Sequence, residues 1–254
     1  GGIDLSVGSI AAVAAVVAAN FSDQFVLIPV FIPILIGAVI GFTNGFVITN
    51  LKIPPFIATL AMMLGARGLA FIISKGETVR AQHLSESFTQ IARGYILGIP
   101  NFGIIFILFL LIAMVVLKYT SFGRRIYAIG GNEEAARMMG LNVDTEKKIV
   151  YTISGSFSAM AGMLLASRLG SGQPYAAAGW ELNAIAAVVI GGTLLTGGVG
   201  KVEGTFYGVL ILGIISNVIN LQGTLPYWYA NLVTGILLLI VILLQSRLSK
   251  HLVI

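Results

Sequence analysis

Residues 25–49 read FVLIPVFIPILIGAVIGFTNGFVIT, twenty-five consecutive positions without a charged side chain. About 20 apolar residues carry an α-helix across the hydrocarbon core of a bilayer, so this stretch is long enough to span one. Gly37, Gly41 and Gly45 stand four apart in it. That spacing puts three hydrogens in place of side chains on one helical stripe, where a neighbouring backbone can approach closely. A helix of this kind belongs in a packed transmembrane bundle.

The rest of the chain reads the same way. Its 254 residues are 57% hydrophobic and 10% charged, against about 45–50% and about 25% in soluble domains. A soluble enzyme domain is excluded. Hydrophobic segments fall at 5–19, 25–49, 54–74, 103–117, 149–167, 182–199, 204–220 and 231–245. The expected fold is an all-α polytopic transmembrane bundle of about eight segments in a single transmembrane domain, 1–254. The shorter segments are full spans, broken helices or re-entrant pieces, which length alone does not separate. Thirty-one glycines without a G-X-Y period exclude a collagen-like chain. The absence of cysteine excludes disulfide scaffolds, thiolate zinc, iron–sulfur clusters and thiol chemistry. The first residues, Gly1-Gly2-Ile3-Asp4, lack an initiator Met and a basic n-region, so the first segment makes a poor signal peptide. A further N-terminal piece is expected.

Fifteen basic against ten acidic residues give +5, and with no long basic run this charge reports topology, not nucleic-acid binding. Loop 118–148 carries Lys118, Arg124, Arg125, Arg137, Lys147 and Lys148 among four acids, and the positive-inside bias assigns it to the cytoplasm. Threading from there puts Lys52, Lys201, Arg247 and Lys250 inside, with Lys75, Arg80, Arg93 and Arg168 outside. On the outer face, Leu84, Phe88 and Ile91 are spaced as in a short surface helix over 84–91. The tip Thr224-Leu225-Pro226-Tyr227-Trp228-Tyr229 reads as a headgroup-level aromatic anchor.

Arg67 stands thirteen residues past Pro54, about 20 Å along a helix, too deep for easy solvation on one side. It needs a partner or a wet cavity, and Asp4 and Glu181 are the acids that could approach it. A structural ion pair and a pathway role are both open. Gly204 and Gly208 repeat the close-packing spacing. The pattern G-G-x-x-L-[ST]-x-G occurs at 1–8 and again at 191–198, as duplicated helical units in one orientation would produce. The run Gly197 to Gly204 fails as a phosphate loop. Leu195 replaces the first glycine and Val202 the Mg2+-binding hydroxyl. His83 and His251 have no second ligand at metal spacing, and no G-x-S-x-G elbow exists.

Loop 118–148 holds the most informative local pattern. Asn132 is a favourable N-cap, Glu133 and Glu134 suit the positive end of the helix dipole, and Gly140 suits the left-handed C′ position. The spacing predicts a two-turn helix over 133–139 presenting Met138, Met139 and Leu141 beside Arg137. Such a helix fits a groove on another protein, and it equally fits the headgroup surface.

Glu134-Ala135-Ala136-Arg137-Met138-Met139-Gly140 matches the E-A-A-x-x-x-G loop of ABC importer permeases. With Gly1 to Gly8, Ile53 to Leu60, Arg67-Gly68 and Glu181 to Thr193, the whole chain resembles the permease family for ribose and related simple sugars. Family members run longer at the N-terminus, implying one or two helices ahead of Gly1, and the usual I-x-L-P ending does not follow Gly140. The resemblance implies a bacterial inner-membrane, multi-pass subunit that is not itself an enzyme and carries no cofactor. It implies a second permease subunit, cytoplasmic ABC ATPase subunits holding ATP and Mg2+, and an extracytoplasmic sugar-binding protein. Arg124, Arg125, Glu133, Glu134 and Arg137, with Ala135 and Ala136 in the motif and Gly140 shaping its end, are the expected ATPase contacts. Asp4, Asn44, Arg67, Asn183 and Asn217 are candidate path residues, and each Asn could equally bridge helices. An ion-coupled secondary carrier, for which Asp4 is the one candidate acid in the first segment, and a passive solute channel are the alternatives.

Overall fold

The computed structural model describes residues 1–80, 85–222, 226 and 228–251, the last six by backbone alone. The described residues form α1 Val7–Asn20, α2 Leu27–Asn50, α3 Pro55–Ser74, β1 Val79–Arg80, α4 Glu86–Arg93, β2 Tyr95–Ile96, β3 Ile99–Pro100 and α5 Asn101–Tyr119. They continue as α6 Ser121–Gly131, α7 Glu133–Met138, α8 Val143–Leu169, β4 Ser171–Gly172, α9 Trp180–Ile190, α10 Val202–Gln222 and α11 Trp228–His251. Six of the helices, α2, α3, α5, α8, α10 and α11, are long and apolar enough to cross a membrane. The remaining two expected segments are shorter apolar helices, α1 and α9. The chain is a multi-pass membrane protein.

Two compact units divide it. The first comprises residues 2–109 and 142–181. Its centre is α1, whose residues Gly8 to Ala19 are all buried. The sequence of α1 is small and apolar, SIAAVAAVVAA, so α2, α3 and α8 can close around it. The Gly37, Gly41 and Gly45 stripe does pack a neighbour, and that neighbour is α8. A Cβ on Gly37 would strike Ala159 Cβ and Gly155 O, one on Gly41 the Tyr151 carbonyl, and one on Gly45 would lie 2.7 Å from Lys148 Cα. Gly155 answers from α8, facing Gly37 O and Gly41, and Gly162 lies against Ala11 O of α1. In lipid, such close van der Waals packing replaces the hydrophobic drive that holds helices together in water.

At the end of this unit that threading assigns to the outer face, β1 pairs with β4, Val79 opposite Gly172. The expected surface helix is α4, shifted to Glu86–Arg93; Leu84, like His83, lies outside the described residues. Phe88 is fully buried against Ala15, Ala18, Met163 and Ala166. Ser167 pins α4 by donating to Phe88 O at 2.7 Å and accepting from Ala92 N at 3.1 Å. β2 and β3 make a hairpin, and α5 follows with no buried residue.

The second unit holds Gly1, 110–141 and 182–254. Here one expectation is corrected: 182–199 is not a continuous segment. α9 stops at Ile190, and Gly192, Gly197 and Gly198 all have positive φ, at 88°, 90° and 76°. Gly192 N donates to Val189 O and Thr193 N to Val188 O, the paired bonds of a glycine-closed helix end. Hydrophobicity runs on through a glycine-built turn, which hydropathy cannot see. Tyr127 of α6 donates to Gly200 O at 2.8 Å. Gly204 and Gly208 pack α10 against Gly191 O and Ala187 O. The two copies of the repeated pattern differ in conformation. α1 begins within the first, at Val7, whereas α10 begins after the second, at Val202. Gly1, which belongs to this unit, lies beside Thr196, where a Cβ on it would be 3.1 Å from Thr196 O. Of the aromatic tip, Thr224, Leu225 and Tyr227 lie outside the described residues, and Trp228 and Tyr229 are exposed.

Candidate functional site

The helix expected over 133–139 is α7, Glu133–Met138, with Met139 as its C-cap. Every local determinant acts as its chemistry dictates. Asn132 Oδ1 accepts from Ala135 N at 2.9 Å, satisfying one of the orphan donors of the first turn. Glu133 and Glu134 occupy that turn, and Arg137 pairs with Glu133 at 3.1 Å. At the other end Gly140, at φ +83°, donates to Arg137 O, and Leu141 N donates to Ala136 O, both near 3.0 Å. This double closure fixes the last turn without help from outside the helix. Ala136 is fully buried, whereas Met138 and Met139 are 90% and 70% exposed. Two flexible, polarisable apolar side chains held out together suit docking against a partner surface.

Arg124 is exposed and Arg125 half-buried. Both sit on α6, a helix that the loop expectation for 118–148 does not include. Thr120 caps it, accepting from Gly123 N at 3.3 Å. Its sequence signal is the spacing of Phe122, Ile126 and Ile129, i, i+4, i+7. α8 also begins earlier than expected, at Val143, because Asn142 caps it through Thr145 N at 3.2 Å.

The candidate path residues separate into three places. Asp4 and Asn44 come together in the first unit. Asp4 Oδ1 accepts from Ser6 N at 2.9 Å and Ser6 Oγ at 2.6 Å, and Oδ2 from Ser154 Oγ at 2.8 Å. Asn44 Nδ2 donates to Ser6 Oγ at 2.9 Å, and Thr59 Oγ1 donates to Ile3 O at 3.1 Å. Ser6, Asn44 and Thr59 are buried, so these bonds form where an unmade one is costly. Tyr151 closes the cluster, its buried hydroxyl against Gly2 and without a hydrogen-bond partner. Ser6, Ser154, Thr59 and Tyr151 are not among the sequence candidates, because hydroxyls on apolar helices carry no spacing signal.

Arg67 lies elsewhere, and its hydrogen-bond partners are backbone carbonyls. Its Nη1 donates to the carbonyls of Pro174 and Ala176 at 2.7 and 2.8 Å. Of the two candidate acids, Glu181 makes no ion pair or hydrogen bond with it, and Asp4 is engaged by serines. In the second unit Asn183 and Asn217 are exposed on α9 and α10. Among the described residues no cluster of three or more His, Asp or Glu could hold a metal; the backbone of His251 is described, its side chain is not.

The chain is 47% identical to the ribose import permease protein of Bacillus subtilis strain 168, covering 98% of this chain and 78% of that one. It is 40% identical to the ribose import permease protein of Escherichia coli K12, over 97% and 78%. It is 44% identical to that organism's L-arabinose transport system permease protein, over 98% and 76%. No solved structure matches it. With residues 1–242 matched by the family described as branched-chain amino acid transport system / permease component, the chain belongs to that permease family.

Proposed function

We propose that the chain is the membrane-spanning permease subunit of an ATP-driven ABC importer for ribose or a related simple sugar, in the bacterial inner membrane. The observation that carries this reading is α7, closed at both ends by its own residues and holding Met138 and Met139 out at 90% and 70% exposure. A helix whose shape is set before docking loses little entropy on binding, so it can transmit displacement. In this reading α7 lies on the cytoplasmic side and docks in an ATPase subunit, with Arg124, Arg125, Glu133, Glu134 and Arg137 as polar contacts. Ala135 and Ala136 keep its inner face close, and Gly140 fixes its end. The ATPase subunits hold ATP and Mg2+; this chain holds no cofactor. A second permease subunit completes the path, and an extracytoplasmic binding protein delivers the sugar. Closure of the ATPase pair moves α7, and the bundle changes between outward-open and inward-open forms that bind the partners unequally. Asn183 and Asn217, exposed on α9 and α10, are path or inter-subunit residues. Asp4 and Asn44 hold α1 in register with α2 and α8.

The test is uptake in proteoliposomes containing the permease, its ATPase and its binding protein. Uptake of labelled ribose or arabinose that requires all three and ATP is expected. Uptake of branched-chain amino acids instead would move the substrate to the class named in the family description. Loss of uptake on collapsing an ion gradient would favour a carrier, and indifference to both energy sources a channel. Glu134→Lys combined with Gly140→Pro should abolish ATPase co-purification while membrane insertion persists; normal association and uptake would remove α7 from the mechanism.

A further inference from the structure

Between β4 and α9 the backbone turns back along α1. Gly172 packs on Ala15 O and Val16, while Ala177 O and Glu181 Oε2 stand against Gly8, at the other end of that helix. From Val16 to Gly8 is about 12 Å at 1.5 Å per residue, so 173–181 descends by that much beside α1. Irregular backbone at such depth persists only where protein or water satisfies its polar groups. Arg67 does so, donating to Pro174 O at 2.7 Å and Ala176 O at 2.8 Å. One turn further along α3, the Phe71 ring meets Tyr175 edge-on with centroids 4.7 Å apart. The segment is also strained. Ala177, 7% exposed, sits at φ +55°, a region that side chains with a Cβ avoid and occupy only when the surroundings impose it. Near the end of the segment, Glu181 carries an opposite charge close enough to act on Arg67, and its Oε2 is buried without a hydrogen-bond partner. A guanidinium released from the carbonyls would find a second acceptor there.

We infer that Arg67 is a positioning residue for transport: it latches the re-entrant segment 173–179 to α3 in one state of the permease, and its release lets the segment shift in the other. The two states of the latch differ in which acceptors Arg67 engages and in whether Ala177 is held in its strained conformation. Since residues 173–179 lead directly into α9, their position sets where that helix begins. This inference rests on the importer reading for its energy source, while the latch itself lies wholly within the first unit.

The 254 residues contain no cysteine, so within them the thiol introduced by Ala177→Cys reports on the segment, and labelling of the same transporter without that substitution gives the background. The complete transporter in proteoliposomes is treated with a membrane-impermeant maleimide from the outer side, without nucleotide and with ATP plus vanadate. With Arg67 present, the labelling rate is expected to differ between the two conditions by about fivefold or more, the scale of a useful coupling between states. With Arg67→Gln, the introduced thiol should label faster at rest and equally in both conditions, and uptake should fall although the ATPase still co-purifies. Arg67→Lys, which keeps the charge but loses the planar fork, should recover part of the contrast. An unchanged contrast in Arg67→Gln, or normal uptake, would overturn the latch; if that variant does not assemble, wild-type contrast and uptake in Arg67→Lys would do the same. A merely structural arginine would change labelling equally in both conditions. Failure of ATP-dependent uptake with Arg67 intact would strike the importer reading, whereas the resting difference between Arg67 and Arg67→Gln tests the latch whatever drives transport.

Discussion

α1 and α7 are both short helices, and they are held in opposite ways. α7 has six residues, a side-chain cap at one end and a glycine closure at the other, and it leaves two methionines in the open. α1 has fourteen residues and no side-chain cap bond. Twelve of those fourteen are buried, and its approach is tied down by Asp4 and Ser6 to Asn44 and Ser154. The cap and the glycine closure of the first join residues five or fewer apart, whereas the second is held by neighbours drawn from across the chain. Substitutions around α1 should therefore threaten the bundle, while those in α7 should threaten only what α7 does.

The largest expected effect is Gly162→Leu, which drives a side chain into Ala11 O of α1. Overpacking against backbone costs about 3 kcal/mol or more where nothing can yield, and loss of the monodisperse peak on size-exclusion in detergent would register it. A variant that stayed folded would show that α1 can shift within its cage. Next is Asp4→Ala, which strands three donors, Ser6 N, Ser6 Oγ and Ser154 Oγ. About 1–3 kcal/mol is expected from the lost bonds, seen as a lower thermal midpoint, and Asp4→Asn should cost less. Gly140→Ala comes third. Its φ of +83° makes a Cβ unfavourable by about 1 kcal/mol. Thermal unfolding of the bundle should not change, but ATPase co-purification should weaken; a lowered melting point instead would erase the distinction between the two helices. The smallest is Glu133→Gln, which removes the exposed pair with Arg137, about 0.5 kcal/mol or less on a helix surface. Only a binding titration against the ATPase is expected to detect it.

The same division explains what could be read in advance. The caps of α7 and the glycine stripe of α2 were legible because each depends on residues a few positions apart. That the stripe meets α8 at Gly155 and Ala159 was not, since nothing in 25–49 names its neighbour. That Arg67 would need a partner was predictable from its depth along α3. Its acceptors were not, because they are carbonyls of Pro174 and Ala176, and every residue has a carbonyl. The hydrophobic run 182–199 hid the end of α9, since hydropathy sums side chains and the interruption is made by backbone at Gly192, Gly197 and Gly198.

By itself the sequence determined the solvent, the helical class, the two ends of α7 and the families of residues able to pack closely, all of which follow from composition and from spacings shorter than two helical turns. Only the tertiary structure decided which helix became the buried centre, which hydroxyls would satisfy Asp4, and which backbone oxygens Arg67 would hold. Those choices join residues as far apart as 4 and 154 or 67 and 176. They are fixed by which surfaces fit once the chain is closed, and no local pattern encodes that fit.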